Sequence, residues 1–297
     1  MPDFTLNTLR RLFTALKGQL YTFQTFALFL RDPARRTIIL RHDVDARKMN
    51  SLQTALLEKE LGIAGTYNFR IVPESFDPGI IKQIADLGHE IGYHYEDVSS
   101  TAERQKCEEK GCTTQDTRLR EEELAKAAIE NFKDNLERLR EIVPVKTICM
   151  HGSPMSRWDN RLLWKYYDYR DFGLIGEPYF DVDFNEILYL TDTGRRWDGD
   201  SVNIRDKAHG TGHRAQGVEQ RAESGERRAV SEEQSATLYN LNSTFDIIDA
   251  AKESRLPDKI MLTIHPQRWD NRPLPWIREL VWQNVKNVGK RFIVARQ

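Results

Sequence analysis

From Thr37 onward, short apolar runs of β type alternate with longer stretches of helical period, an order that points to βα units around a parallel sheet. The strand candidates are "TIILRHDVD", "GTYNFRIV", "HEIGYHYED", "VKTICMHGSP", "GLIGEPYF", "EILYLTDTG" and "DKIMLTIHPQRW". Between them, "MNSLQTALLEKELG" ends at a capping Gly62, and "DPGIIKQIADLG" opens with Asp77 as N-cap and Pro78 in the first turn. A charged helix is expected over 117–142, an aromatic-rich one over "SRWDNRLLWKYYDY", and a closing amphipathic helix over "LPWIRELVWQNVKNVGK". At 297 residues the chain suits one large α/β barrel or two modest domains.

Two segments fall outside the pattern. The stretch "RRLFTALKGQLYTFQTFALFLRDPARR" reads as two amphipathic helical pieces, so residues 1–36 are expected to form a helical extension of the domain. It is too interrupted by polar residues to span a bilayer, although Phe26, Leu28, Phe29 and Leu30, followed by basic residues, leave a peripheral membrane contact open. Residues 205–236 hold almost no large apolar side chain and are expected to be a mobile insertion; the glycines around His209 and His213 argue against a helical metal pair there.

Charge narrows the class of function. With 44 Lys+Arg against 45 Asp+Glu, the formal net charge of -1 gives no long-range attraction to nucleic acid. Three cysteines, an odd number, fit a reducing compartment, hence a cytoplasmic location, and Cys107 and Cys112 read as surface thiols.

The strand ends carry the chemistry. Asp43 and Asp45, then His94, His151 and His265 each fall at the C-terminal end of an expected strand, and in a parallel barrel or sheet those ends converge on one face. Carboxylates and imidazoles around one point suit a divalent cation, Zn²⁺ or a related ion, that activates water for hydrolysis. Period-two alternation directs Asp43 and Asp45 to the same side, so that one can ligate while the other takes a proton. His42 points the opposite way and His89 opens its strand, so both are read as structural.

These motifs resemble the polysaccharide deacetylase family, the NodB-homology carbohydrate esterases, across residues 37–269. "ILRHDVD" is similar to its first motif, "ADLGHEIGYHYED" to its second, and "IMLTIHPQRW" to its last. The resemblance implies a distorted (β/α) barrel of about seven parallel strands that removes acetyl groups from N-acetylated sugars. It implies Asp43 as catalytic base, Asp45 and His94 as metal ligands, and His265 as general acid. Val98 stands where the family has a second histidine, so the third ligand is expected to be His151, with Glu96 and Asp97 as alternatives. The family's usual arginine motif is missing, which leaves Asp43 without an evident partner.

Tryptophan and arginine near the strand ends, Arg195, Arg196, Trp197, Arg268 and Trp269, are candidate contacts for a sugar, with core filling as the competing reading. The expected function is metal-dependent sugar deacetylation in the making of a surface polysaccharide. The rival readings are hydrolysis of another non-peptide C–N bond, or a metal-free carbohydrate-binding relative.

Overall fold

The computed structural model describes residues 2–108, 117–153, 156–197 and 241–294, with the backbone alone at 106–108, 117–119 and 285–294. The expected insertion at 205–236, His209, His213, Cys112 and the side chain of Cys107 lie outside the described residues.

Among the described residues, seven strands form one curled parallel sheet: β1 (Thr22–Gln24), β2 (Thr37–Val44), β3 (Thr66–Phe69), β4 (Glu90–Tyr95), β5 (Ile148–Met150), β6 (Leu188–Thr191) and β7 (Lys259–Ile264). Their order is β5-β4-β3-β2-β7-β6, with β1 paired to the first half of β2. The result is a half-barrel, the distorted (β/α) barrel architecture expected from the sequence.

Helices α1 (Leu6–Gly18), α2 (Phe26–Arg31), α3 (Lys48–Glu60), α4 (Pro78–Asp86), α5 (Asp97–Glu108), α6 (Thr117–Arg140), α7 (Leu163–Tyr166), α8 (Pro178–Asp181), α9 (Thr244–Lys252) and α10 (Pro273–Val294) complete it. Asp77 caps α4 through the amides of Gly79 and Ile80, with Pro78 at its start.

The strand count is right for a partly different set of strands. "GLIGEPYF" is not a strand: it makes one isolated bridge, Thr147 to Gly176, and then turns into α8 at Pro178. Here the Glu177 carboxylate accepts from the amide of Met150 (3.0 Å), satisfying a β5 donor that an adjacent strand would otherwise pair. The seventh strand comes instead from the N-terminus. Residues 1–36 are therefore not a purely helical extension, because β1 pairs in register with Thr37, Ile38 and Ile39. Phe26 and Phe29 are buried against Ile39, Val182, Ile187 and Met261, with Leu30 packed beside them, so this stretch faces the core, and only Leu28 of the four is exposed.

β2 is buried along its whole length, yet carries Arg41, His42 and Asp43 in succession. Such groups are tolerated only when paired. Alternation sends Arg41 and Asp43 to the barrel interior, where they bind each other, and His42 to the opposite face, where its Nε2 lies 2.7 Å from Glu58 of α3. His42 also stacks on Tyr67, whose hydroxyl donates to Glu58, and His89 accepts from the Gly65 amide (3.2 Å). Both histidines are structural, as their positions in the strands suggest.

Candidate metal centre

Three strand ends bring three donors together. His94, on β4, lies 3.0 Å through Nδ1 from the carbonyl of Cys149, which fixes the ring with Nε2 toward the interior. His151, directly after β5, presents Nε2 to the same space while its Nδ1 lies 3.0 Å from Glu96 Oε2. Asp45, directly after β2, places Oδ1 3.5 Å from His94 Nε2 and 3.6 Å from His151 Nε2.

These separations fit one cation. Tetrahedral bonds of about 2.0–2.1 Å put neighbouring donors about 3.3–3.4 Å apart. Asp45 Oδ1 is buried and accepts no hydrogen bond, as expected of an oxygen aimed at an ion; its other oxygen accepts from Gln267 Nε2 at 3.1 Å. Asp45, His94 and His151 could therefore hold a metal ion. The supports are of the kind metal ligands need, a carbonyl behind one imidazole and a carboxylate behind the other.

A second grouping, Asp43, His94 and Cys149, shares the same histidine. Its chemistry is poorer. Both Asp43 oxygens are already bound by Arg41, through Nε at 2.9 Å and Nη2 at 2.6 Å, and Asn68 Nδ2 adds a bond at 3.2 Å. Burial, with Asp43 close by, pushes the Cys149 thiol well above its ordinary range, so it keeps its proton.

Each carboxylate has a distinct electrostatic setting. Burial alone would raise Asp43, but the Arg41 guanidinium and the His94 imidazole hold it far below the usual carboxylate range. Asp45 is also held well below that range: contact with His94 and the nearby His151 and His265 rings outweigh its burial. His94 is raised despite burial, because Asp43 and Asp45 face it. The Arg41 pair overturns the expectation that Asp43 lacks a partner: the arginine comes from two residues upstream on the same strand face rather than from a separate motif.

His265, after β7, completes the ring of groups. Its Nε2 lies 3.9 Å from Asp45 Oδ2, and its Nδ1 lies 2.6 Å from Oδ1 of Asp192, which directly follows β6. Arg268 Nη1 also lies 2.9 Å from Nδ1 and 2.7 Å from Asp192 Oδ1. A guanidinium only donates, and so does a protonated Nδ1, so the carboxylate accepts from both. Asp192 also accepts from the backbone of His265 and from Trp269 Nε1 (2.7 Å). Although fully buried, it stays ionised below the usual range because Arg268 and His265 outweigh the desolvation.

The candidate sugar contacts fare differently from the candidate ligands. Trp197 and Trp269 are buried in the core with Phe4, and neither offers a ring face to a ligand. Arg195 is buried between the rings of Phe4 and Trp276, and Arg268 is spent on Asp192. Arg196 is half-buried. Arg268 and Trp269 thus brace Asp192 behind His265, while Trp197 bonds Thr244 in the core.

The alternatives for the third ligand also take other places. Glu96 is held by both arms of Arg70 at 2.8 Å and stands behind His151. Asp97 turns away to accept from Tyr93, Asn131 and Asn135, and Val98 is fully buried in the core. Gly92 has a steric reason to be glycine: a Cβ there would collide with the Asn68 side chain that reaches Asp43.

Comparison with protein-family models, with curated proteins and with solved structures yields no match.

Proposed function

We propose that the protein is a metal-dependent hydrolase that removes the acetyl group from an N-acetylated sugar, as its resemblance to the polysaccharide deacetylases implies. One observation carries the proposal: Asp43, Glu96 and Asp192 each have an arginine partner, whereas Asp45 faces imidazoles and keeps one buried oxygen without a donor. A cation supplies what that oxygen and the two Nε2 atoms lack. When bound, a divalent ion such as Zn²⁺ would acidify water and polarise a carbonyl oxygen.

The protein's own groups divide the remaining work. Asp45, His94 and His151 hold the ion. Asp43, kept anionic and immobile by Arg41 and Asn68, is the acceptor for a proton from attacking water. His265 is oriented through Nδ1 by Asp192, leaving Nε2 to deliver a proton to the departing amine. The free Cys149 thiol fits a reducing, cytoplasmic setting, where a precursor of a surface polysaccharide would be the substrate.

Burial of Trp197 and Trp269 removes the rings expected to stack on a sugar, which favours a second reading: hydrolysis of another non-peptide C–N bond by the same centre. The deciding experiment reconstitutes the purified protein with Zn²⁺ or Co²⁺, measures metal per chain, and assays acetate release from N-acetylglucosamine oligomers and a nucleotide-linked N-acetylhexosamine. Stoichiometric metal with acetate release supports deacetylation. Metal without acetate leaves the second reading, and a chain that takes up no metal removes both.

A further inference from the structure

His151 lies one residue past the end of β5, where the sheet stops dictating position. Its amide makes a last bond to the Tyr95 carbonyl (2.8 Å), whereas its own carbonyl accepts from a side chain, Asn160 Nδ2, at 2.9 Å. Asn160 opens a single 3₁₀ turn, Asn160–Leu162, which Asp159 caps and which runs into Leu163 of the core. It is fully buried. A core amide is tolerated when both of its ends are bonded, and here the other end, Oδ1, accepts from the amide of Ser99 at 2.9 Å. A backbone N–H only donates and a carbonyl only accepts, so the side chain has one allowed orientation.

The bond to Ser99 reaches the group that stands behind the ligand. Ser99 belongs to the first turn of α5, and its hydroxyl donates to the carbonyl of Glu96 (3.0 Å), the residue whose carboxylate lies 3.0 Å from His151 Nδ1. Ser99 Oγ also lies 2.8 Å from Ser153 Oγ, two residues past His151. The loop is closed. Asp97 and Val98 of the same turn face Tyr93 and the core, so the turn serves the ion only through Glu96 and His151. An apolar side chain would fill the Asn160 site without desolvating an amide; what the amide adds is a fixed distance between Ser99 and His151.

We propose that Asn160 is the positioning residue of the third ligand, holding the His151 backbone so that Nε2 stays on the ion shared with Asp45 and His94. The inference rests on the metal centre proposed above. Metal bonds tolerate only about 0.2 Å, so a freed backbone at His151 costs the ring its place. Asn160→Asp keeps the acceptor for Ser99 and sets a carboxylate oxygen against the His151 carbonyl. Zn²⁺ affinity, read by chelator competition, is expected to fall about 10–100-fold. Nitrogen NMR of the ¹⁵N-histidine-labelled full chain, assigned with His94→Ala and His151→Ala, follows each ring. With Zn²⁺ in excess, both rings of the wild-type chain should shift; in Asn160→Asp only His94 should. A variant in which both rings shift as in wild type, or neither does, overturns the proposal, since a merely structural role would weaken both together. Asn160→Ser buries no charge and gives the same reading if the aspartate variant does not fold. A wild-type chain in which Zn²⁺ shifts neither ring would remove the metal centre itself, a result distinct from a variant that keeps both.

Discussion

Asp192 Oδ1 stands 2.6 Å from His265 Nδ1, and this contact sets which nitrogen of the ring faces the metal centre. Asp192→Asn keeps the shape and removes the charge. Turnover is expected to fall by on the order of 10²–10⁴, the usual worth of a positioned proton donor, with metal content unchanged. Steady-state kinetics of the proposed reaction on the metal-loaded protein, with metal analysis of the same sample, measure both quantities. Loss of metal in this variant would place Asp192 in the coordination scaffold instead.

His151 and Glu96 should separate ligation from support. His151→Ala removes a donor 3.6 Å from Asp45 Oδ1, so stoichiometric metal is expected to be lost on dialysis. Glu96→Gln keeps the donor and weakens only the group behind it, and metal affinity should drop about 10–100-fold. Competition with a chromophoric chelator reads both. Equal affinities in the two variants would remove His151 from the ligand set.

Arg41 and Asp43 form a buried ion pair, both residues being almost wholly inaccessible. Arg41→Met strands a buried carboxylate, which is expected to cost about 3–5 kcal/mol in denaturant unfolding. Adding Asp43→Asn removes the uncompensated charge and should recover part of that loss. A double variant no more stable than the single one would show that packing around Arg41, rather than charge pairing, dominates.

The convergence of Asp45, His94 and His151 was legible because parallel strands end on one face, and each residue stands directly at such an end. Arg41 was visible in the same way, since period two puts it on the Asp43 face, but guanidinium partners are not evident from spacing until burial is known. Asp192 follows "LYLT" and met the strand-end criterion too; its role depends on β6 pairing with β7, a contact between strands far apart in the chain. Trp197 and Trp269 show the limit of composition as a guide. A tryptophan next to an arginine describes a sugar platform and a filled core equally well, and only packing against Phe4 separates them. β1 was hidden because three residues carry too little pattern to register as a strand, and its pairing with Thr37, Ile38 and Ile39 is a tertiary fact.

Asp97, which is not among the candidate ligands, provides a pH test of its own. It opens α5, is fully buried, and its carboxyl is pushed up to about 7 by desolvation, despite donors from Tyr93, Asn131 and Asn135. In the unfolded chain the same group titrates near about 3.9, so between these values the folded state binds the extra proton. Its contribution is therefore fully present at low pH and is lost as pH rises toward about 7. Asp97→Asn cannot ionise. Its stability relative to wild type should improve by up to about 1.4 kcal/mol per pH unit across that window and level off above it. Urea unfolding of both proteins at several pH values measures the slope; a difference independent of pH would mean that the three donors hold Asp97 ionised throughout.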